Sequence, residues 1–89
     1  LGLSTQAMVG IAVTGDVRAV AAAVAALEES EYVLITAGRF DVLAEVICTD
    51  NEALLELVND RIRSIDGVTS TEVFSILKME KLVFSWGTG

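Results

Sequence analysis

YVLITAGRFDVLAEVICTD, residues Tyr32 to Asp50, sets two apolar runs, YVLI (Tyr32 to Ile35) and VLAEVIC (Val42 to Cys48), on either side of TAGRFD (Thr36 to Asp41). Short runs rich in Val, Ile and Leu, parted by a polar stretch with one glycine, predict two strands, Glu31 to Ala37 and Asp41 to Thr49, joined through Gly38 as a hairpin. Neither strand alternates cleanly. Val42, Ala44, Val46 and Cys48 form one apolar set, yet Leu43 and Ile47 on the opposite side are apolar too, whereas a half-solvated antiparallel strand is apolar on one side only. Both faces of the hairpin are therefore expected to be covered.

Working outward, AMVGIAV (Ala7 to Val13) puts Val9, Ile11 and Val13 on one side and reads as a strand. Thr14, Gly15 and Asp16 break it and offer an N-cap. Val17, Val20, Val24 and Leu27 then recur at helical spacing, the stripe of an Ala-rich helix ending near Glu28 to Ser30. Beyond the hairpin, Thr49 and Glu52 have the spacing of a capping box, and Leu54, Leu55, Val58, Ile62 and Ile65 form a second stripe. Asp66 and Gly67 stop that helix, and Val68 to Met79 alternates as a long fourth strand.

The order βαββαβ carries a weak internal repeat and is the split βαβ signature of an α+β, ferredoxin-like fold. Its four-stranded antiparallel sheet carries both helices on one face. With no proline, no linker and no low-complexity segment, residues 1–89 read as a single domain, able to bury roughly 60–65% of its unfolded surface. The bare sheet face, apolar in its strands, predicts a homodimer that forms through the sheet.

Composition narrows the function. A formal net charge of −7 with six Lys and Arg argues against a phosphate-binding face, which needs clustered cations. The single cysteine, Cys48, rules out an internal disulfide and a thiolate zinc site, and the absence of histidine removes the commonest general base and transition-metal ligand. No metal or cofactor is expected. No apolar stretch reaches the ~20 residues that span a bilayer and no signal-like segment opens the chain, so the reading is cytoplasmic, with no membrane partner.

Two stretches could carry chemistry. In the turn, Gly38, Arg39, Phe40 and Asp41 leave two accounts open. Either Asp41 caps the turn with Arg39 a solvated tip and Phe40 a core plug, or the loop amides and the carboxylate hold a small zwitterion by its ammonium group. Thr69, Ser70 and Thr71 at the start of the last strand are either ordinary strand residues or hydroxyl donors to a carboxylate. Cys48 reads as a small buried hydrophobe, Glu45 as solvated or ion-paired, and EESE (Glu28 to Glu31) as a solvated helix end. Trp86 is expected to fold back onto the domain or a neighbour.

LGL at the start, AMVGIAV, the hairpin, the helix ending RIRSIDGV (Arg61 to Val68) and TSTEVFSIL (Thr69 to Leu77) together resemble the C-terminal domain of the Lrp/AsnC transcription regulators, over essentially the whole chain. The motifs agree in order: Gly-x-x-Asp at Gly38 and Asp41, Ile-x-Gly-Val at Ile65 to Val68, and Thr-x-Thr-Glu at Thr69 to Glu72. The resemblance implies the same ferredoxin-like fold, dimers packed sheet to sheet, and often octamers or other higher oligomers. It also implies that amino-acid effectors bind between neighbouring dimers. One wall would be Gly38, Arg39, Phe40 and Asp41, the other Thr69, Ser70 and Thr71 of another subunit. The sequence departs from the family at Ala37, where threonine is common, and shows no helix-turn-helix, the element through which such regulators contact DNA.

The reading is the effector-sensing and oligomerisation module of an Lrp/AsnC-type transcriptional regulator, either excised from a longer chain or naturally standing alone, without catalysis. A small ferredoxin-like monooxygenase or isomerase is the enzymatic alternative, and a purely structural assembly domain is the third.

Overall fold

A computed structural model describes residues 4–83; Trp86 and the opening Leu1 to Leu3 lie outside them. Six elements follow in the expected order: β1 (Thr5–Val13), α1 (Val17–Ala25), β2 (Ser30–Ile35), β3 (Val42–Cys48), α2 (Asn51–Glu56), which continues as a π-helical segment (Leu57–Ile62), and β4 (Val68–Ser75). The sheet order is β2-β3-β1-β4, and every adjacent pair is antiparallel. This is the ferredoxin-like arrangement read from the periodicity.

Period-2 patterning fixes the register. Ala7, Val9 and Ile11 of β1 stand opposite Val46, Ala44 and Val42 of β3, and all six are fully buried. Slipping this pairing by one residue would turn the whole set to the other face. Over these residues α1 lays Val20, Ala21 and Val24, and the second helix lays Leu54, Leu57, Val58 and Ile62.

The helix boundaries differ from the sequence reading for identifiable reasons. Asp16 caps α1 as expected, its Oδ1 accepting the Ala19 N–H at 3.1 Å. α1 stops at Ala25, short of Glu28, because the Ser30 hydroxyl donates to the carbonyls of Leu27 (2.8 Å) and Ala25 (3.3 Å) and so closes the helix end. α2 is capped by Asp50, not Thr49: Asp50 Oδ1 accepts the Ala53 N–H at 2.8 Å. Aspartate is the better N-cap, and it wins by one position.

The expected second stripe is wrong at one place. Leu55 is exposed (58%), and Leu57, which the stripe omitted, is fully buried. From Leu57 the helix widens, with the Arg63 N–H donating to the Val58 carbonyl five residues back, at 3.0 Å. In that geometry Leu57 and Ile62, five apart, share a face. An ideal 3.6-residue period does not see this.

β4 ends at Ser75, well before Met79, with the Ile76 N–H still reaching the Gln6 carbonyl at 3.0 Å. The chain from there to residue 83 lies outside the sheet, with Leu77 95% exposed.

Gly67 sits where only glycine is comfortable. Its φ is +99°, its carbonyl accepts the Thr14 N–H at 2.8 Å, and a Cβ there would lie 3.0 Å from the Thr14 oxygen. Gly67→Ala is therefore expected to cost about 1–2 kcal/mol, read as a lowered thermal midpoint with unchanged secondary structure. A neutral substitution would mean that this turn relaxes freely.

Candidate functional site

The 36–41 turn is pinned at its base. The Thr36 hydroxyl donates to the Phe40 carbonyl at 2.7 Å, and the Thr36 N–H to the Asp41 carbonyl at 2.9 Å. Gly38 has φ +129°, a backbone conformation that favours glycine. The Asp41 N–H then binds the Ile11 carbonyl at 2.9 Å, which locks the exit of the turn onto β1.

Each side chain of the turn has a separate destination. Asp41 Oδ2 accepts the backbone N–H of Val13 at 2.8 Å, beside the register shift between Ala12 and Val13 in the β1–β4 pairing. This is a capping bond, but to a strand 28 residues away rather than to its own turn. Oδ1 has no hydrogen bond to the protein among the described residues. Arg39 is exposed, its guanidinium 5.8 Å from the centroid of the Phe40 ring.

Phe40 plugs no core between sheet and helices; it folds over the helix-free face of the sheet. There it stacks edge-on against Phe74, centroids 6.1 Å apart, and covers Gly10. The sequence signal was a glycine in the middle of a strand, which marks close approach by another group. A Cβ on Gly10 would lie 2.7 Å from Phe40 Cδ2 and 2.8 Å from Cγ, so the whole ring would have to move. Gly10→Ala is expected to cost about 1–3 kcal/mol by overpacking. In a double-mutant cycle the cost should largely vanish in a Phe40→Ala background; equal costs in both backgrounds would show that the ring does not occupy this seat.

The second predicted wall lies at the same end of the same sheet. Thr69 Oγ1 donates to the Ala12 carbonyl at 3.0 Å, Ser70 pairs with Ala12 across the ladder, and Thr71 pairs with Ile11. The last residues of β1 thus run between Asp41 on the β3 side and Thr69 to Thr71 on the β4 side. Thr69 and Ser70 are exposed and Thr71 is half-buried. Two concave sites elsewhere use neither stretch. One of about 300 Å³ lies at the far end of the sheet beside Glu29 and Cys48, and one of about 450 Å³ lies beneath Thr14, Asp16 and Gly67.

Three further readings are settled by position. Cys48 is buried as expected; burial pushes its thiol pKa up, the Glu29 carboxylate adds to the rise, and Arg61 opposes it. Glu29 is not merely a solvated helix end, since it pairs with Arg61 from the second helix. Glu45, expected to be solvated or ion-paired, is buried in the helix-free face and forms no ion pair among the described residues. Among those residues no group of three or more His, Cys, Asp and Glu could hold a metal ion, and no helix is long and apolar enough to cross a membrane.

The described residues thus form a ferredoxin-like sheet with one bare face and a pinned Gly-x-x-Asp turn at the same end as a hydroxyl-bearing strand start. The model of the Lrp/AsnC ligand binding domain matches residues 6–83. The chain belongs to that family.

Solved structures agree with this placement. AsnC of E. coli superposes with a TM-score of 0.84 at 23% identity, over 91% of this chain and 56% of that one. TTHA0845 of Thermus thermophilus gives 0.80 at 30% identity, over 88% and 99%. The transcriptional regulator NMB0573 of Neisseria meningitidis, solved as a complex with L-Met, gives 0.79 at 27% identity, over 88% and 53%. The chain therefore spans about half the length of AsnC and NMB0573 and nearly all of TTHA0845. No curated protein matches it.

Proposed function

We propose that this domain senses a free amino acid, held by its ammonium group at Asp41 and by its carboxylate at the hydroxyls and amides of Thr69 to Thr71, with Gly38, Arg39 and Phe40 shaping the cleft. The observation that carries the reading is the half-used carboxylate of Asp41. Val13 fixes one oxygen at 2.8 Å and so orients the group, while Oδ1 has no protein partner among the described residues. A pre-oriented acceptor loses little freedom when a ligand ammonium arrives. NMB0573, at 27% identity, is described with L-Met bound, which makes L-methionine the first ligand to try.

In one chain the two walls flank β1, so an enclosed site needs a second copy to close over one of them. The reading includes a homodimer through the helix-free face and further assembly of dimers. It places the protein in the cytoplasm, acting as the sensing part of a regulator that contacts DNA through another segment, with no catalysis in the cleft. Thermal-shift screening against the common amino acids tests it, because a ligand specific to the native state raises the midpoint in a concentration-dependent way. A flat response to all of them at millimolar concentration would refute amino-acid sensing.

A further inference from the structure

We infer that Glu45 makes pairing through the helix-free face proton-linked: two copies close over this face with their Glu45 side chains neutral, so association takes up protons. The inference rests on the face-to-face dimer proposed above and adds the group that regulates it. Its first ground is placement. Alternation along β3 turns Val42, Ala44, Val46 and Cys48 into the core and sends Glu45 to the helix-free face, opposite Met8 of β1 and Tyr32 of β2. β3 is an inner strand, so Glu45 lies inside the face rather than at its edge, among the exposed Tyr32 (44%), Leu34 (46%) and Phe74 (43%).

The second ground is how the carboxylate is satisfied. Glu45 is 8% exposed, and among the described residues no ion pair and no hydrogen bond from the protein reaches its carboxylate. Among those residues the one side-chain nitrogen or oxygen both out of water and without a hydrogen bond is Glu29 Oε1. The Glu45 oxygens therefore still touch water. That water lies on the helix-free side, because the other side of β3 is packed under the helices. A second copy that covers the face removes it.

The third ground is what the face offers in exchange. Met8 on β1 is apolar, and Tyr32 on β2 is the titratable group directly opposite Glu45. Glu31, at the β2 register shift, and Glu72, two strands away on β4, are further carboxylates. None of the four strands contains a Lys or Arg. Arg39, on the turn beside Phe40, is the one cation near the margin of the face among the described residues. A second copy brings the same groups and its own Glu45. An unpaired carboxylate moved out of water is strongly disfavoured in its charged form and takes a proton instead. The neutral form is thus the one that associates. Pairing tightens as pH falls and is weakest well above the ordinary carboxylate range of about 4, where the free chain is ionised at this position.

The test is self-association by sedimentation equilibrium on the full chain between about pH 5.5 and pH 8. The wild-type dimer should tighten about tenfold or more from the upper to the lower end of that range. Glu45→Gln, neutral throughout, should pair about tenfold or more tighter than wild type at pH 8 and lose most of the pH dependence. The net charge of −7 also opposes self-association and shrinks on acidification. Glu56→Gln controls for this: it removes one charge from the exposed side of the second helix, and it should change the affinity less than threefold and keep the wild-type pH dependence. A wild-type dimer equally strong at both ends of the range overturns the proton linkage and leaves the dimer standing. So does a Glu45→Gln dimer no tighter than wild type at pH 8, or a Glu56→Gln effect as large as that of Glu45→Gln. Wild type and Glu45→Gln both monomeric at micromolar concentration across the range overturn the dimer itself, and the linkage with it.

Discussion

Leu57→Ala is expected to lower the stability of the domain by about 2–5 kcal/mol, the range for emptying a fully buried leucine site. Leu57 is 0% exposed and sits where the second helix widens into π geometry, sharing a face with Ile62, also 0% exposed. A chain of this size has a total stability of roughly 4–13 kcal/mol at the usual per-residue value, so one truncation removes a large share of it. The partner experiment is Leu55→Ala. Leu55 is 58% exposed, and a surface truncation of this kind stays within about 0.5 kcal/mol. Urea unfolding at matched concentrations, with unchanged m-values, measures both. Equal costs at the two positions would mean that the helix keeps an ordinary α stripe and that the widening is wrong.

That pair of leucines marks where the sequence stops being legible. The six elements and their order follow from period 2 against period 3.6, and the turns at Gly15, Gly38 and Gly67 all have positive φ, as glycines at element ends suggest. These are local signals. What the sequence hid was set by groups far along the chain or by a change of helical pitch. Leu55 and Leu57 flank the ideal stripe almost equally until the i→i+5 bonding turns Leu57 inward. The last strand continues its alternating pattern to Met79, but its pairing with β1 closes at Ser75 opposite Ala7 and the Ile76–Gln6 bond, and alternation alone does not show where pairing stops. Glu29 reads as a helix-end acid because Arg61, its partner, is 32 residues away.

The candidate site was legible to a similar depth. The motif at Gly38 to Asp41 points to the turn, and the sequence leaves two accounts of Asp41 open, a cap or an ammonium ligand. The geometry makes them compatible. One oxygen caps Val13 and the other is left over, and this division could not be read from a sequence in which Val13 and Asp41 are 28 residues apart. Phe40 shows the same thing from the other side. The residue next to the carboxylate reaches over the sheet to Gly10 and Phe74, so the turn touches the helix-free face as well as the end of β1.

Because Asp41 caps Val13 and is also proposed to hold the ligand ammonium, Asp41→Ala alone cannot separate the two roles, and Asp41→Asn can. Alanine removes the acceptor of the Val13 N–H, a bond to a carboxylate worth on the order of 1.5–3 kcal/mol, so the variant should melt markedly lower whether or not the site binds a ligand. Asparagine keeps a carbonyl oxygen for Val13 and loses only the charge. The bond it keeps is worth about 0.5–1.5 kcal/mol in place of 1.5–3, so its stability cost should be about 1–1.5 kcal/mol, less than that of alanine. An ammonium group, however, would find an amide in place of a carboxylate. Losing that charge-assisted bond should weaken amino-acid affinity about ten- to a hundredfold. Titration calorimetry with L-methionine, and with any other amino acid that shifts the melt, gives the affinity; thermal unfolding of the same samples gives the stability. Stability clearly above that of Asp41→Ala, with affinity lost in Asp41→Asn, is the result expected if Oδ1 faces the ligand. Wild-type affinity in Asp41→Asn would leave the carboxylate with its capping bond alone and remove Asp41 from the effector site.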